Sequence, residues 1–172
     1  GVQTCALPIS IPYLVKEFNL TTEQALWLCY LNGCTQNIVT TWTIFNEFSD
    51  FGSINENELI LWHNENWKSL NYDIDRRYQK GHLVKMYRDY KNHVKGSQQG
   101  FFESVMGNGT SDEKFDKLFW NVYNNFLMYG RLSTFSYLEY LKIIGLDLNC
   151  SNLFLDDLEG SKSHRNGLCI VL

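Results

Sequence analysis

Apolar positions recur at helical intervals along nearly the whole chain, and no stretch alternates strictly enough to predict a paired strand. The first long pattern, TTEQALWLCYLNGCTQNIVTTWTIFNEF, opens on a capping box, with Gln24 three residues after Thr21. Its first half is apolar on every side (Leu26, Trp27, Leu28, Tyr30, Leu31), the mark of a central helix. Further on the apolar set narrows to Ile38, Trp42, Phe45 and Phe48, so the run reads as one long helix. ENELILWHNENWKSL predicts a second helix with Leu59, Trp62 and Trp67 inward, and GHLVKMYRDYKNHV a third with Leu83, Tyr87, Tyr90 and Val94 inward. The clearest pattern is SDEKFDKLFWNVYNNFLMY. Ser111 caps it, acids fill its first turn, and Phe115, Leu118, Phe119, Val122, Tyr123, Phe126 and Leu127 form one stripe. Gly130 is expected to end this helix, and RLSTFSYLEYLKII to begin another that stops at Gly145. The expected fold is all-α, a single compact domain of six to eight helices.

The opening GVQTCALPIS stands apart from this pattern. It holds one of two prolines and one of five cysteines, and it has no charge. It lacks the basic start and longer apolar run of a secretory signal. Reverse-translated, Gly1 to Ile9 match the end of a common sequencing adapter, so residues 1–10 are expected to be a scar from an environmental read. The native part is then residues 11–172, a single helical domain. The uncapped apolar ending RNGLCIVL predicts truncation at the C-terminus.

With hydrophobics at 44% and aromatics at 15%, this is a globular composition, and no apolar run of membrane-spanning length occurs. Cys29, Cys34, Cys150 and Cys169 read as buried thiols in a reducing cytoplasm. The net charge of −4 argues against a general nucleic-acid coat, so any role on DNA needs a local basic patch.

Familiar catalytic signatures are missing. HNE at 63–65 lacks the second half of a zinc-deaminase motif, and no Walker loop or nucleophile elbow occurs. Three polar clusters remain. DIDRRYQKG packs Asp73, Asp75, Arg77 and Lys80 into nine residues. YGRLSTFSYLEY sets Arg131 at a helix junction, suited to a forked hold on phosphate, ahead of Ser133, Tyr137 and Glu139. DDLEGSKSHRNGL supplies Ser161, Ser163, Arg165, Asn166 and Gly167, the makings of an anion-binding nest. Each cluster also has a plain structural reading as a solvated helix end or surface loop.

YDIDRRYQKG, YGRLSTFSYLEYL and LFLDDLEGSKSHRNGLC together resemble the phage and metagenomic amino acid:DNA transferases, of the alpha-glutamyl/putrescinyl thymine pyrophosphorylase group. The segments 11–48 and 61–81 are similar to that family in order and spacing. The resemblance implies a helical fold distantly like helix-hairpin-helix DNA glycosylases, although the hairpin signature itself is not evident. It implies that an amino acid or polyamine displaces pyrophosphate from pyrophosphorylated 5-hydroxymethyluracil in double-stranded or locally opened DNA. It places the work in the cytoplasm of a bacterial host during phage infection.

Such an enzyme must hold pyrophosphate, position a neutral amine and bring the base out of the stack. The pyrophosphate and DNA would fall to Arg77, Lys80, Arg131, Ser133, Ser161, Ser163, Arg165, Asn166 and Gly167, with Arg77, Arg131 and Arg165 converging on one cleft. Asp75, Glu139 and Tyr137 would be the catalytic set. No metal-ligand set is evident and no cofactor is required, although a Mg²⁺ between pyrophosphate and Asp73 or Asp75 is conceivable. The alternatives are a non-enzymatic helical interaction module, which exposed Trp62 and Trp67 would favour, and a base-excision glycosylase.

Overall fold

In the computed structural model, residues 7–73 and 81–154 are described, the first four of them by their backbone alone. Eight α-helices occur among the described residues, with no strand. They are α1 (Leu7–Glu17), α2 (Thr22–Thr35), α3 (Ile38–Glu47), α4 (Glu56–Asn66), α5 (His82–Val94), α6 (Gln98–Met106), α7 (Ser111–Asn125) and α8 (Arg131–Ile143). The all-α domain expected from the sequence is the fold observed.

Helix α2 is the axis. Every residue from Ala25 to Thr35 is buried, as its all-round apolar pattern requires, and α1, α3, α6 and α8 pack around it. Its Thr21–Gln24 capping box forms as read. Around it lies a stack of aromatic rings, in which Tyr30 and Tyr90 are parallel at 3.8 Å between centroids. The Tyr90 hydroxyl donates to Gln98 Oε1, and Gln98 Nε2 donates to the Glu23 carboxylate. That carboxylate also accepts the backbone N–H groups of Gln98 and Gln99, so an acid from α2 caps the positive end of α6.

Several local expectations need correction. The long run from Thr21 to Phe48 is two helices, broken where Gln36 turns left-handed (φ 48°) and Asn37 caps α3 by accepting from Thr40 N–H. The cap of α7 is Thr110, boxed with Glu113, one residue before Ser111. Leu127, beyond the end of α7, is exposed, as is Cys150, whereas Cys29 and Cys34 are buried thiols. In α4 the inward residues are Leu59 and His63; Trp62 and Trp67 are half-buried, with Trp62 edge-on to Phe48. Gly130 does not end α7 but caps α8. Cys169 and residues 1–6 lie outside the described residues, and of residues 7–10 only the backbone is described.

Candidate functional site

The α2–α3 elbow holds the chain just before the first polar cluster. Thr35, Asn37 and Thr40 all turn toward residues 71–73. Asn71 N–H donates to Thr40 Oγ1 (2.9 Å), and that hydroxyl donates back to the Asn71 carbonyl (2.7 Å). Asp73 N–H donates to the Thr35 carbonyl (3.0 Å), and Asn37 Nδ2 donates to Asp73 Oδ2 (3.2 Å). Beneath them runs a buried polar line: the hydroxyls of Thr35 and Thr41 lie 2.6 Å apart, and Thr41 donates to Asn32 Oδ1. Burying these groups costs desolvation, which the hydrogen bonds among Thr35, Thr41 and Asn32 Oδ1 partly offset. Next to it, the Tyr72 hydroxyl meets Nε2 of the buried His63 at 3.2 Å. Burial, and then the neighbouring Cys34, push the Tyr72 phenol well above its ordinary pKa, so it stays protonated at neutral pH. The elbow therefore orients Asp73.

Asp73 and His63 were noted in the sequence, but Asn32, Thr35, Asn37, Thr40 and Thr41, which build the elbow, were not. A signal was present: Asn32, Thr35 and Thr41 are polar positions in or beside a helix that is otherwise apolar all round. Asp75, Arg77 and Lys80 follow within seven residues of Asp73 and lie outside the described residues.

The second cluster is the first turn of α8. Gly130 N–H donates to Ser133 Oγ, which returns its proton to the Gly130 carbonyl; Thr134 Oγ1 donates there too. Ser133 thus closes the helix start. Arg131 is only 7% exposed, and its guanidinium carbon stands 5.3 Å from the Phe135 ring centroid and 6.0 Å from that of Phe119. The guanidinium is engaged rather than free. A buried cation at a helix N-terminus runs against the macrodipole, a cost that a negative group beside it would offset.

Tyr137 and Glu139 sit on the same helix but part company. Tyr137 is wholly buried beside Tyr30, Phe126 and Tyr129, and its hydroxyl faces that of Tyr90 without closing a hydrogen bond of good geometry. Burial above all holds this phenol far above its usual pKa. As an acid or base at neutral pH it has neither access nor tuning. Glu139 is exposed and lines a shallow groove of ≈ 380 Å³ with Phe135, Ser136, Lys142 and Cys150. Phe135 lines this groove and also lies against the Arg131 guanidinium, although Arg131 and Glu139 are about 12 Å apart along α8.

The third cluster, with Ser161, Ser163, Arg165, Asn166 and Gly167, lies outside the described residues, and so does the expected meeting of Arg77 and Arg165 with Arg131. No group of three or more His, Cys, Asp or Glu among the described residues could hold a metal ion. No helix among them is long and apolar enough to cross a membrane.

Similarity to known proteins gives this geometry a setting. No solved structure matches the chain. A serinyltransferase of Salmonella phage ViI is 28% identical over 155 residues, which is 87% of this chain and 38% of that protein. The chain thus spans well under half the length of that relative. The family model for amino acid:DNA transferases matches from residue 7 to residue 172, taking in all three polar clusters, and the chain belongs to that family.

Proposed function

We propose that this protein transfers an amino acid onto pyrophosphorylated 5-hydroxymethyluracil in DNA, releasing pyrophosphate. Family membership over residues 7–172 carries this reading, and the serinyltransferase relative makes serine the first donor to try. In the step, the amine lone pair forms a C–N bond to the exocyclic methylene. The C–O bond to pyrophosphate breaks, the leaving group keeps the electron pair, and a carboxylate takes the ammonium proton. Asp75 and Glu139 are the carboxylates for that proton, and the exposure of Glu139 suits it to meet a soluble amine.

Arg131 supports the leaving-group side. Its planar fork, flanked by Phe119 and Phe135 at the start of α8, is suited to two phosphate oxygens at once. In this reading Arg77, Lys80, Arg165 and the loop of Ser161, Ser163, Asn166 and Gly167 complete the hold, and Ser133 serves by shaping the helix start. Tyr137 has a packing role. Asp73 offers one carboxylate, so any Mg²⁺ would arrive with the pyrophosphate. The host cytoplasm as the place of action belongs to the same reading.

The test is nucleoside mass spectrometry after incubating the full-length protein with pyrophosphorylated DNA and serine or a mixture of amino acids and polyamines. The expected product is a nucleoside with the mass of 5-hydroxymethyldeoxyuridine plus the donor less one water, with matching pyrophosphate release. No adduct and no pyrophosphate with any donor would refute the assignment.

A further inference from the structure

The chain is acidic overall, yet helix α5 and its cap carry four of its fifteen lysines and arginines within eleven residues: Lys85, Arg88, Lys91 and Lys95. All four are exposed. At 100° per residue they fall within an arc of about 120°, and they extend about 15 Å along the axis. The opposite face is anchored in the core by Leu83, Tyr87, Tyr90 and Val94, so the basic arc is held outward. The one acid of α5, Asp89, is turned aside: its carboxylate accepts Leu127 N–H at 2.7 Å and faces His93 Nε2 at 3.5 Å. From the neighbouring α4 one acid reaches the arc, Glu56, which pairs with Arg88 at 2.5 Å.

From this we infer that the outward face of α5 is the surface along which the DNA phosphate backbone lies. The inference rests on the DNA-modifying reading above and names where its substrate docks. Fifteen ångströms of helix spans a short run of successive phosphates of one strand. Three of the four cations reach solvent without an ion-pair partner among the described residues, while Glu56 pairs with Arg88 and lies within electrostatic reach of Lys91. A solvated helix needs no such sorting of its acid away from its bases. A strand of phosphates does.

The test measures binding of the full-length protein to a DNA duplex by fluorescence anisotropy across a salt series. Neutralising three lysines together (Lys85→Gln, Lys91→Gln, Lys95→Gln) should weaken binding by about tenfold or more near 0.1 M salt. It should also make the log–log salt slope shallower by about two to three units. Glu56→Gln should do the reverse, tightening binding and steepening the slope by about one unit, an effect that damaged folding cannot imitate. If the triple variant stays folded by circular dichroism and binds with unchanged affinity and slope, the surface is elsewhere. The same holds if both variants shift binding in one direction. Transfer by the parent protein is scored separately: binding through these lysines without transfer leaves the surface standing and removes the reaction, and transfer with no dependence on them does the opposite.

Discussion

Asn37 and Asp73, thirty-six residues apart, are joined by a side-chain hydrogen bond of 3.2 Å, and the same Asn37 caps helix α3 through its other side-chain atom. One amide thus starts a helix and orients the carboxylate that opens the first polar cluster.

Two substitutions at Asn37 should separate those jobs. Asn37→Ala removes both and should cost about 1–2 kcal/mol in denaturant melts, the usual range for a lost cap. Asn37→Asp keeps a good cap, loses the donor and sets a like charge against Asp73. Its melt should lie closer to the parent's, while amino acid transfer falls as it does in the alanine variant. Equal transfer by all three proteins would show that the orientation of Asp73 does not matter to the reaction.

How much of this was legible beforehand follows from where the information lies. Helix type and the central position of α2 came through because an all-round apolar run has few other solutions. The break at Gln36 did not, since Thr-Gln-Asn carries neither Gly nor Pro, and the turn is fixed by Thr35, Asn37 and Thr40 bonding to residues far along the chain. Thr110 and Ser111 are both good caps; Glu113 decides between them, because it stands three residues after Thr110. Spacing put Ser133 and Tyr137 on one side of α8 but left open which side faces inward. The packing of Tyr30, Phe126 and Tyr129 settles that, and it takes Tyr137 out of reach of a substrate.

Gly33 marks the tightest packing around the axis. A methyl group there would overlap the Tyr129 hydroxyl and press on the Tyr137 ring at 3.4 Å. Gly33→Ala should therefore destabilise by about 1–3 kcal/mol, despite alanine's better helix propensity. Removing the opposing hydroxyl with Tyr129→Phe should recover part of the loss. A double-mutant cycle measured by urea melts should give a coupling of about 0.5 kcal/mol or more; strict additivity would mean that the backbone simply shifts to admit the methyl.

Asp147 gives the fold a defined response to acid. Lys114 Nζ lies 2.5 Å from its carboxylate and Ser111 also donates to it, and these bonds hold its pKa below the usual carboxylate value. A depressed folded-state pKa adds stability that is present above the unfolded value of about 3.9 and lost as pH falls through the folded one. The parent should thus melt above Asp147→Asn at pH 7, and the gap should close as pH drops below about 4. Because the site is solvent-exposed, the gap should also shrink in high salt. A gap that persists unchanged at pH 2 would mean that the charge on Asp147 contributes nothing.

Arg131 is where structural and chemical roles are hardest to separate, because a buried guanidinium against Phe119 and Phe135 would be costly to disturb in either case. Arg131→Lys preserves charge and most of the apolar stem but removes the fork. If the fork grips the leaving group, turnover should fall by about one to three powers of ten, at about 1.4 kcal/mol for each. Loss of packing alone would also slow the enzyme, so a second readout is needed. Inorganic pyrophosphate at about one hundred times its dissociation constant should stabilise the parent by about 2.7 kcal/mol. In Arg131→Lys that protection should largely vanish at the same concentration, even after the variant's own lower melting point is subtracted. A variant that melts lower yet gains the parent's full increment from pyrophosphate would assign Arg131 to the core, and the hold on the leaving group would then fall to Arg77 and Arg165.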